Sequence, residues 1–139
     1  MFGWLKRFGR RGKTSAEIGV SGEREAADLL KNKGYRIVAR NWRAGRDEID
    51  LICRDGEVLV FVETRTRARG ALVGGYDSID RKKRTALLRV CRAYLRKLKP
   101  KPRAFRLDVV EVEHKEGLVF EARHFENVPL FGKAAGRGL

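Results

Sequence analysis

At 139 residues the chain suits one domain, and its 42% hydrophobic share supports a core and argues against a disordered chain. Lys and Arg number 32 against 18 Asp and Glu, a net charge of +14 that points to a polyanion, nucleic acid ahead of an anionic membrane surface. The absence of a run of roughly 18 apolar residues, of a secretory-type apolar stretch and of more than two cysteines excludes a membrane span, a secreted disulfide framework and a zinc cluster. A cytoplasmic protein with no stable membrane insertion is expected.

Residues 1–13 carry five Lys or Arg and no acid, and read as a flexible basic arm. Its Trp4, Leu5 and Phe8 give a third, minor reading, contact with lipid or a partner. Thr14-Ser15-Ala16-Glu17 has capping-box spacing, and a helical pattern follows through Ala26, Ala27, Leu29 and Leu30 until Gly34 ends it. Three β-like runs come next, Tyr35–Trp42, Glu48–Cys53 and Val58–Thr64, with Asp55-Gly56 as a hairpin signal between the last two. Residues 65–80, with Gly70, Gly74 and Gly75, read as a mobile loop. A long helix is predicted from about Ser78 to Leu98, apolar at Leu87, Cys91, Tyr94, Leu95 and Leu98 and basic at Arg89, Arg92 and Arg96. Strands Phe105–Val112 and Leu118–Phe125 complete a domain spanning 14–128, and residues 129–139 read as a flexible tail. The order is helix, three strands, helix, two strands: one α/β domain with a mixed sheet.

The acids are few and oddly placed. Asp50 interrupts the apolar run Ile49–Ile52, and Glu63 ends the run Val60–Val62. Strand alternation puts Glu48, Asp50 and Ile52 on one face and Phe61, Glu63 and Arg65 on one face of the next strand. With Asp55-Gly56 as a two-residue turn, Asp50 falls opposite Phe61 and Glu63 opposite Glu48. Asp50 and Glu63 are then diagonal neighbours at roughly 7–8 Å. Carboxylates gathered on one sheet face repel one another and resist desolvation, so a cation must offset them. Arg65 is one candidate, which would leave a salt-bridged sheet edge with no chemistry. A hard divalent cation is the other, and beside a basic surface it suits phosphodiester hydrolysis.

Taken in order, several motifs resemble the YraN family of predicted endonucleases: Gly22-Glu23 with Ala26 and Ala27, Gly34-Tyr35, Asn41-Trp42-Arg43, Glu48-Ile49-Asp50-Leu51-Ile52, Phe61-Val62-Glu63, Arg106-Leu107-Asp108-Val109-Val110 and Glu126-Asn127. The resemblance covers about residues 16–128. It implies a restriction-endonuclease-like core, an α/β fold with a mixed central sheet of about five strands flanked by helices, shared with Holliday-junction-resolvase-like nucleases of the PD-(D/E)xK type. Carried over to this chain, it implies Asp50 and Glu63 as metal-binding acids, with the Thr64 backbone carbonyl as a further ligand. Glu23 is implied as an assisting acid on the first helix, Lys83 as the lysine at the start of the second, and Mg²⁺ or Mn²⁺ as the cofactor. The chain departs from the pattern at Arg65, where the family has lysine. Arginine keeps a positive charge for the phosphate but cannot serve as a base, and its planar fork pairs readily with Glu63 or Asp50.

Two functions follow as expectations. One is a metal-dependent endonuclease on DNA, branched or single-stranded forms included, with Asp50, Glu63, Glu23 and Arg65 in the site and a homodimer as its assembly. The other is a non-catalytic nucleic-acid binder on the same fold. Residues 81–106 hold twelve Lys or Arg and no acid, so Lys82, Lys83, Arg89, Arg92 and Arg96 are expected to meet phosphates in either case. Cys53 and Cys91 read as buried thiols, His114 and His124 as surface histidines, Trp42 as a core anchor, and Arg106 as the partner of Asp108.

Overall fold

The computed structural model describes residues 14–70, 79–116 and 118–131. The basic arm at 1–13, most of the glycine-rich stretch (71–78) and residues 132–139 lie outside the described residues. Helix α1 spans Ser15–Asn32. Strands β1 (Arg36–Ala44), β2 (Asp47–Asp55) and β3 (Val58–Ala68) follow, then helix α2 (Arg81–Lys97) and strands β4 (Ala104–Lys115) and β5 (Leu118–Phe125). The sheet order is β1-β2-β3-β4-β5, parallel between β3 and β4 and antiparallel elsewhere. This order, αβββαββ around a mixed sheet, is the restriction-endonuclease-like core that the motifs imply.

Local chemistry accounts for the element ends. Thr14 Oγ1 accepts from the Glu17 N–H at 3.1 Å while Glu17 Oε1 accepts from the Thr14 N–H at 2.8 Å, the reciprocal capping box. Gly34, at φ +95°, turns the chain out of α1. Asp80 caps α2 by accepting from the Lys83 N–H at 2.8 Å.

Each helix covers one face of the sheet. Ala26, Ala27 and Leu30 of α1 pack with Leu51, Cys53, Val60, Val62, Val110 and Val112. Leu87, Val90, Cys91, Tyr94 and Leu95 of α2 pack with Ile52, Leu59, Phe61, Leu107 and Val109. Cys53 and Cys91 are buried free thiols in opposite cores. Trp42 anchors the α2 side, edge-on to Tyr94 with ring centroids 5.0 Å apart.

Four expectations are corrected. The hairpin turn is Gly56-Glu57, with Asp55 opposite Val58, two residues off the register inferred from Asp55-Gly56. Gly56 takes φ +61° at the first turn position, which a side chain there would resist. Strand β3 runs through Ala68, so Arg65, Thr66 and Arg67 belong to the ladder with β4 and not to a loop. Packing also continues past residue 128, where the tail was expected to begin: Leu130 and Phe131 rest on the α2-side core, and Phe131 meets Phe105 edge-on at 4.7 Å. Finally, the His124 side chain is buried, with Nε2 2.7 Å from Asp108 Oδ2 and Nδ1 2.9 Å from Lys33 Nζ, and His114 is half-buried.

Asp108 is fully buried and Arg106 is its partner, with Nε 2.9 Å from Oδ1. Burial would raise its pKa, but hydrogen bonds from His124, Arg106 and the Asn127 N–H outweigh that and hold the carboxyl below its ordinary range.

Gly22 sets how closely α1 approaches the sheet, because a Cβ there would lie 2.6 Å from Thr66 Oγ1 on β3. Gly22→Ala is therefore expected to lower stability by about 1–3 kcal/mol in urea unfolding, and Gly22→Ala/Thr66→Ala to recover most of it. A double variant no better than the single would show that the close approach is not the cause.

Candidate active site

Asp50 occupies a break in the sheet. Regular alternation would send Ile49 and Leu51 to one face and Asp50 with Ile52 to the other. Instead Ile49 and Ile52 both pack on the α2 side, while Leu51 packs on the α1 side. Alternation therefore lapses at Asp50, which overturns the expected grouping of Glu48, Asp50 and Ile52 on a common face. Between Arg40↔Leu51 and Trp42↔Ile49 the β1–β2 register places Asn41 across from Asp50, and Asn41 has the left-handed φ of +49°. The β2–β3 ladder ends at Leu51↔Val62. Just past that point the Thr64 N–H donates 2.8 Å to Asp50 Oδ2, so the side chain takes the place of a strand partner.

Extending the β2–β3 register by one residue sets Asp50 directly across from Glu63, closer than the diagonal relation inferred from the sequence. The two-residue shift preserves parity, so the pair survives the wrong turn. Glu63 is 3% exposed and lies on the α2 side, where it contributes to raising the thiol pKa of Cys91, after burial itself. Burial and then the adjacent Glu63 carboxylate push the Asp50 pKa up to about 7, against a lowering by the Thr64 N–H and the charge of Lys83. Near neutral pH, Asp50 thus holds its proton about half the time.

Two cations meet Glu63 Oε2: Lys83 Nζ at 3.2 Å and Arg65 Nη1 at 3.5 Å. Lys83 was expected in the phosphate groove; the structure puts it at the acids. Glu23 reaches Asp50 from the α1 side. Its Oε1 accepts from Asn41 Nδ2 at 3.3 Å, and it lines a cavity of about 180 Å³ with Arg24, Arg40, Asn41 and Asp50. Burial raises the Glu23 pKa, and the charges of Asp50 and Glu48 add to the rise against the Asn41 hydrogen bond. Glu48 itself turns to Arg43, 3.0 Å away, and not to Glu63.

The donor set is chemically suited to a hard cation. It offers the oxygens of two neighbouring carboxylates, with a small cavity on the Asp50 and Glu23 side and the Thr64 backbone beside Asp50. Asp50 and Glu63 are the residues that would hold it. Among the described residues no three His, Cys, Asp or Glu side chains gather into a metal-holding group, so Glu23 stands by the site and does not complete a trio.

Glu111 escaped the sequence reading. It pairs with Arg65 in the β3–β4 register, is 3% exposed, and lies 3.3 Å from Arg67 Nε and 3.1 Å from Arg123 Nη1. Glu63, Arg65 and Arg67 thus open a cross-strand charge network that reaches Glu113 and Glu121 through Arg123. Alternating acids along 111–113 were the available signal, but they reach Arg65 only through the parallel pairing. Of the expected phosphate contacts, Arg89 is tied to Asp47 by two bonds of 2.8 Å, whereas Lys82, Arg92 and Arg96 are exposed.

Known proteins match most of this chain. The model of the uncharacterised protein family UPF0102 matches residues 22–112, which include Glu23, Asp50, Glu63, Arg65 and Lys83. This chain belongs to the UPF0102 family, the YraN family of its motifs. A UPF0102 protein of Lawsonia intracellularis is 40% identical over 114 residues, 82% of this chain and 86% of the relative. One from Symbiobacterium thermophilum is 47% identical over 100 residues, 71% of this chain and 84% of its own. A third, from Nitratidesulfovibrio vulgaris, is 45% identical over 97 residues, 70% and 72% of the two chains. In this UPF0102 member no helix of the described residues is long and apolar enough to cross a membrane.

Because folding raises the pKa of Asp50 from 3.8 to about 7, the folded state keeps a proton that the unfolded chain has already lost over that range. The contribution of Asp50 to stability therefore falls as pH rises from about 4 to 7. Asp50→Asn is expected to match the wild type within about 1 kcal/mol near pH 4 and to exceed it at pH 8 by up to about 4 kcal/mol. Urea unfolding at the two pH values measures this; equal differences at both would place the shared proton elsewhere.

Proposed function

We propose that this UPF0102 protein is a divalent-metal-dependent nuclease that hydrolyses phosphodiester bonds in DNA. The observation that carries the reading is the pairing of Asp50 with Glu63 at the end of the β2–β3 ladder, where burial and the neighbouring carboxylate raise the Asp50 pKa and, among the described residues, Asp50 makes no salt bridge of its own. Asp50 and Glu63 are the ligands of the reading, with Mg²⁺ or Mn²⁺ supplying polarisation of the phosphate and activation of water. Thr64 holds Asp50 in place through its N–H. Lys83 and Arg65 supply charge for the phosphate. Arg65 presents a planar fork and Lys83 a compact ammonium on a flexible stem. On this reading Lys83, 3.2 Å from Glu63, takes the part that the family pattern gives to a lysine at the position of Arg65.

The basic surface supports a nucleic-acid substrate. Four cations, Arg81, Lys82, Lys83 and Arg84, occupy the first turn of α2 without an acid beyond the Asp80 cap. They oppose the positive end of the helix dipole, an arrangement unfavourable by about 0.3–1 kcal/mol per charge. Bound phosphates would reverse that sign. A cleft of about 770 Å³ beside this turn is lined by Arg46, Asp47, Arg81, Lys82 and Arg89.

A second reading, a nucleic-acid binder without activity, is favoured by one specific contact: Arg65 already lies 3.5 Å from Glu63 and could fill the place of the ion.

Calorimetric titration of Mn²⁺ into the wild type and Asp50→Ala, followed by a cleavage screen on duplex, branched and single-stranded DNA, separates the readings. The nuclease reading expects binding and cleavage in the wild type, at least 100-fold slower cleavage in Asp50→Ala, and DNA affinity within about threefold. Cleavage that persists in Asp50→Ala would overturn the site. Absence of both metal binding and cleavage in the wild type, restored by Arg65→Lys, would favour the binder.

A further inference from the structure

At the end of α2 away from Lys83, the β2–β3 turn and the segment joining α2 to β4 enclose a second cleft, of about 690 Å³. Arg36, Arg54, Lys99, Lys101 and Arg103 line it, and Glu57 is the one acid among its lining residues. Three features set this cleft apart from ordinary surface charge.

Arg36 and Arg54 are direct partners in the β1–β2 ladder. Like charges placed opposite each other across two strands are destabilising, and the linker adds three further cations, with Glu57 the one carboxylate in the lining. The cations are also uncommitted. Arg65 and Lys83 are held by Glu63, and Arg89 by Asp47. Among the described residues none of the five in this cleft makes a salt bridge; Arg54 spends one hydrogen bond, 3.4 Å, on the Glu57 carbonyl. Lastly, the helix end does not account for them. The carbonyl end of α2 is equivalent to about half a negative charge, and Arg96 and Lys97 in its last turn already exceed that.

We infer that this cleft is a second phosphate-binding site, which holds the backbone of duplex DNA away from the candidate active site. Its continuity with the basic stripe of α2 decides the occupant. Lys82, Arg89 and Arg96 recur every seven residues, so they share one face of the helix, with Arg92 one turn from the last two; Arg89 is also paired with Asp47, and Lys99 follows the helix end in the linker. All five are exposed. The 17 residues of α2 extend about 25 Å, the length of roughly seven base pairs at about 3.4 Å each. A regular, extended polyanion can follow this row from the first turn of α2 to the far cleft; a small anion would leave most of it unused. Pro100 and Pro102, with fixed φ and no N–H to satisfy, stiffen the linker that presents Lys99, Lys101 and Arg103. The inference rests on the nucleic-acid part of the proposed function and is independent of hydrolysis.

The test is binding of a 20-base-pair DNA duplex by fluorescence anisotropy in EDTA, so that neither metal nor cleavage enters. Lys99→Gln/Lys101→Gln is compared with Lys31→Gln/Lys115→Gln, a pair of exposed lysines elsewhere whose removal changes the net charge equally. The cleft pair is expected to weaken binding at least tenfold near 0.1 M salt and to lower the slope of log affinity against log salt by about 1.8, close to 0.9 per lost phosphate contact. The distant pair is expected to change affinity less than threefold, and Lys99→Arg/Lys101→Arg to bind like the wild type. Equal losses in the two Gln pairs would reduce the cleft to bulk charge and overturn the proposal. Loss of binding to phosphatidylserine-containing vesicles with DNA affinity intact would overturn it in favour of a membrane surface. Failure of the nuclease reading would show in the cleavage screen and leave this result standing.

Discussion

Two carboxylates held against each other are the constraint around which this end of the molecule is organised. Asp50 and Glu63 face one another where the β2–β3 ladder ends, and repulsion between them adds to the effect of burial in raising the Asp50 pKa to about 7. The arrangement persists because the surroundings over-determine it. The Thr64 N–H bonds Asp50, Lys83 and Arg65 meet Glu63, and the left-handed backbone at Asn41 accompanies the lapse in alternation that frees Asp50 from either core. A sequence folding for stability alone would put an apolar residue in this run, as Ile49, Leu51 and Ile52 do on either side. The acid is thus a local violation of the folding rules that the rest of the strand obeys.

The same contrast runs through the cations. Some are fully used within the fold: Arg106 on Asp108, Arg123 on Glu111 and Glu113, Arg89 on Asp47. Others are crowded where intramolecular physics disfavours them, at the positive end of α2 and across the β1–β2 ladder at Arg36 and Arg54. A fold with eighteen acids could have distributed them to relieve both places. It commits acids instead to buried networks on β4 and to the Asp50–Glu63 pair. Lys82, Arg92 and Arg96, which make no salt bridge among the described residues, are left exposed along α2.

The buried Asp108 network and the paired acids occupy different parts of one sheet. The Asp108 network joins Arg106, His124 and Lys33 and fixes β4 and β5 to the end of α1, and losing one partner of such a buried pair is typically worth several kcal/mol. The paired acids lie further along the sheet, where β2 and β3 part and the charged residues of β3, β4 and β5 replace apolar core. Gly22 ties the two regions, since the close approach of α1 to Thr66 places the adjacent Glu23 over the cavity at Asp50.

By itself the sequence determined the element order, the Thr14 and Gly34 ends of α1, the apolar face of α2 and the acids worth attention, because periodicity, turn residues and caps are local and leave their signature within a few positions. It also paired Arg106 with Asp108, two residues apart on one strand face. Tertiary structure decided the rest. The hairpin register depended on Gly56 taking the first turn position and not the second. The lapse at Asp50 depended on Asn41 in a neighbouring strand. Lys83 came to the acids because α2 crosses back over the sheet, and Glu111 came beside Arg65 through a parallel pairing that spans a whole helix. His124 meets Asp108 on β4 and Lys33, the latter 91 residues away. These contacts join residues distant in the chain, and no periodicity records a partner that only the packed sheet brings within reach.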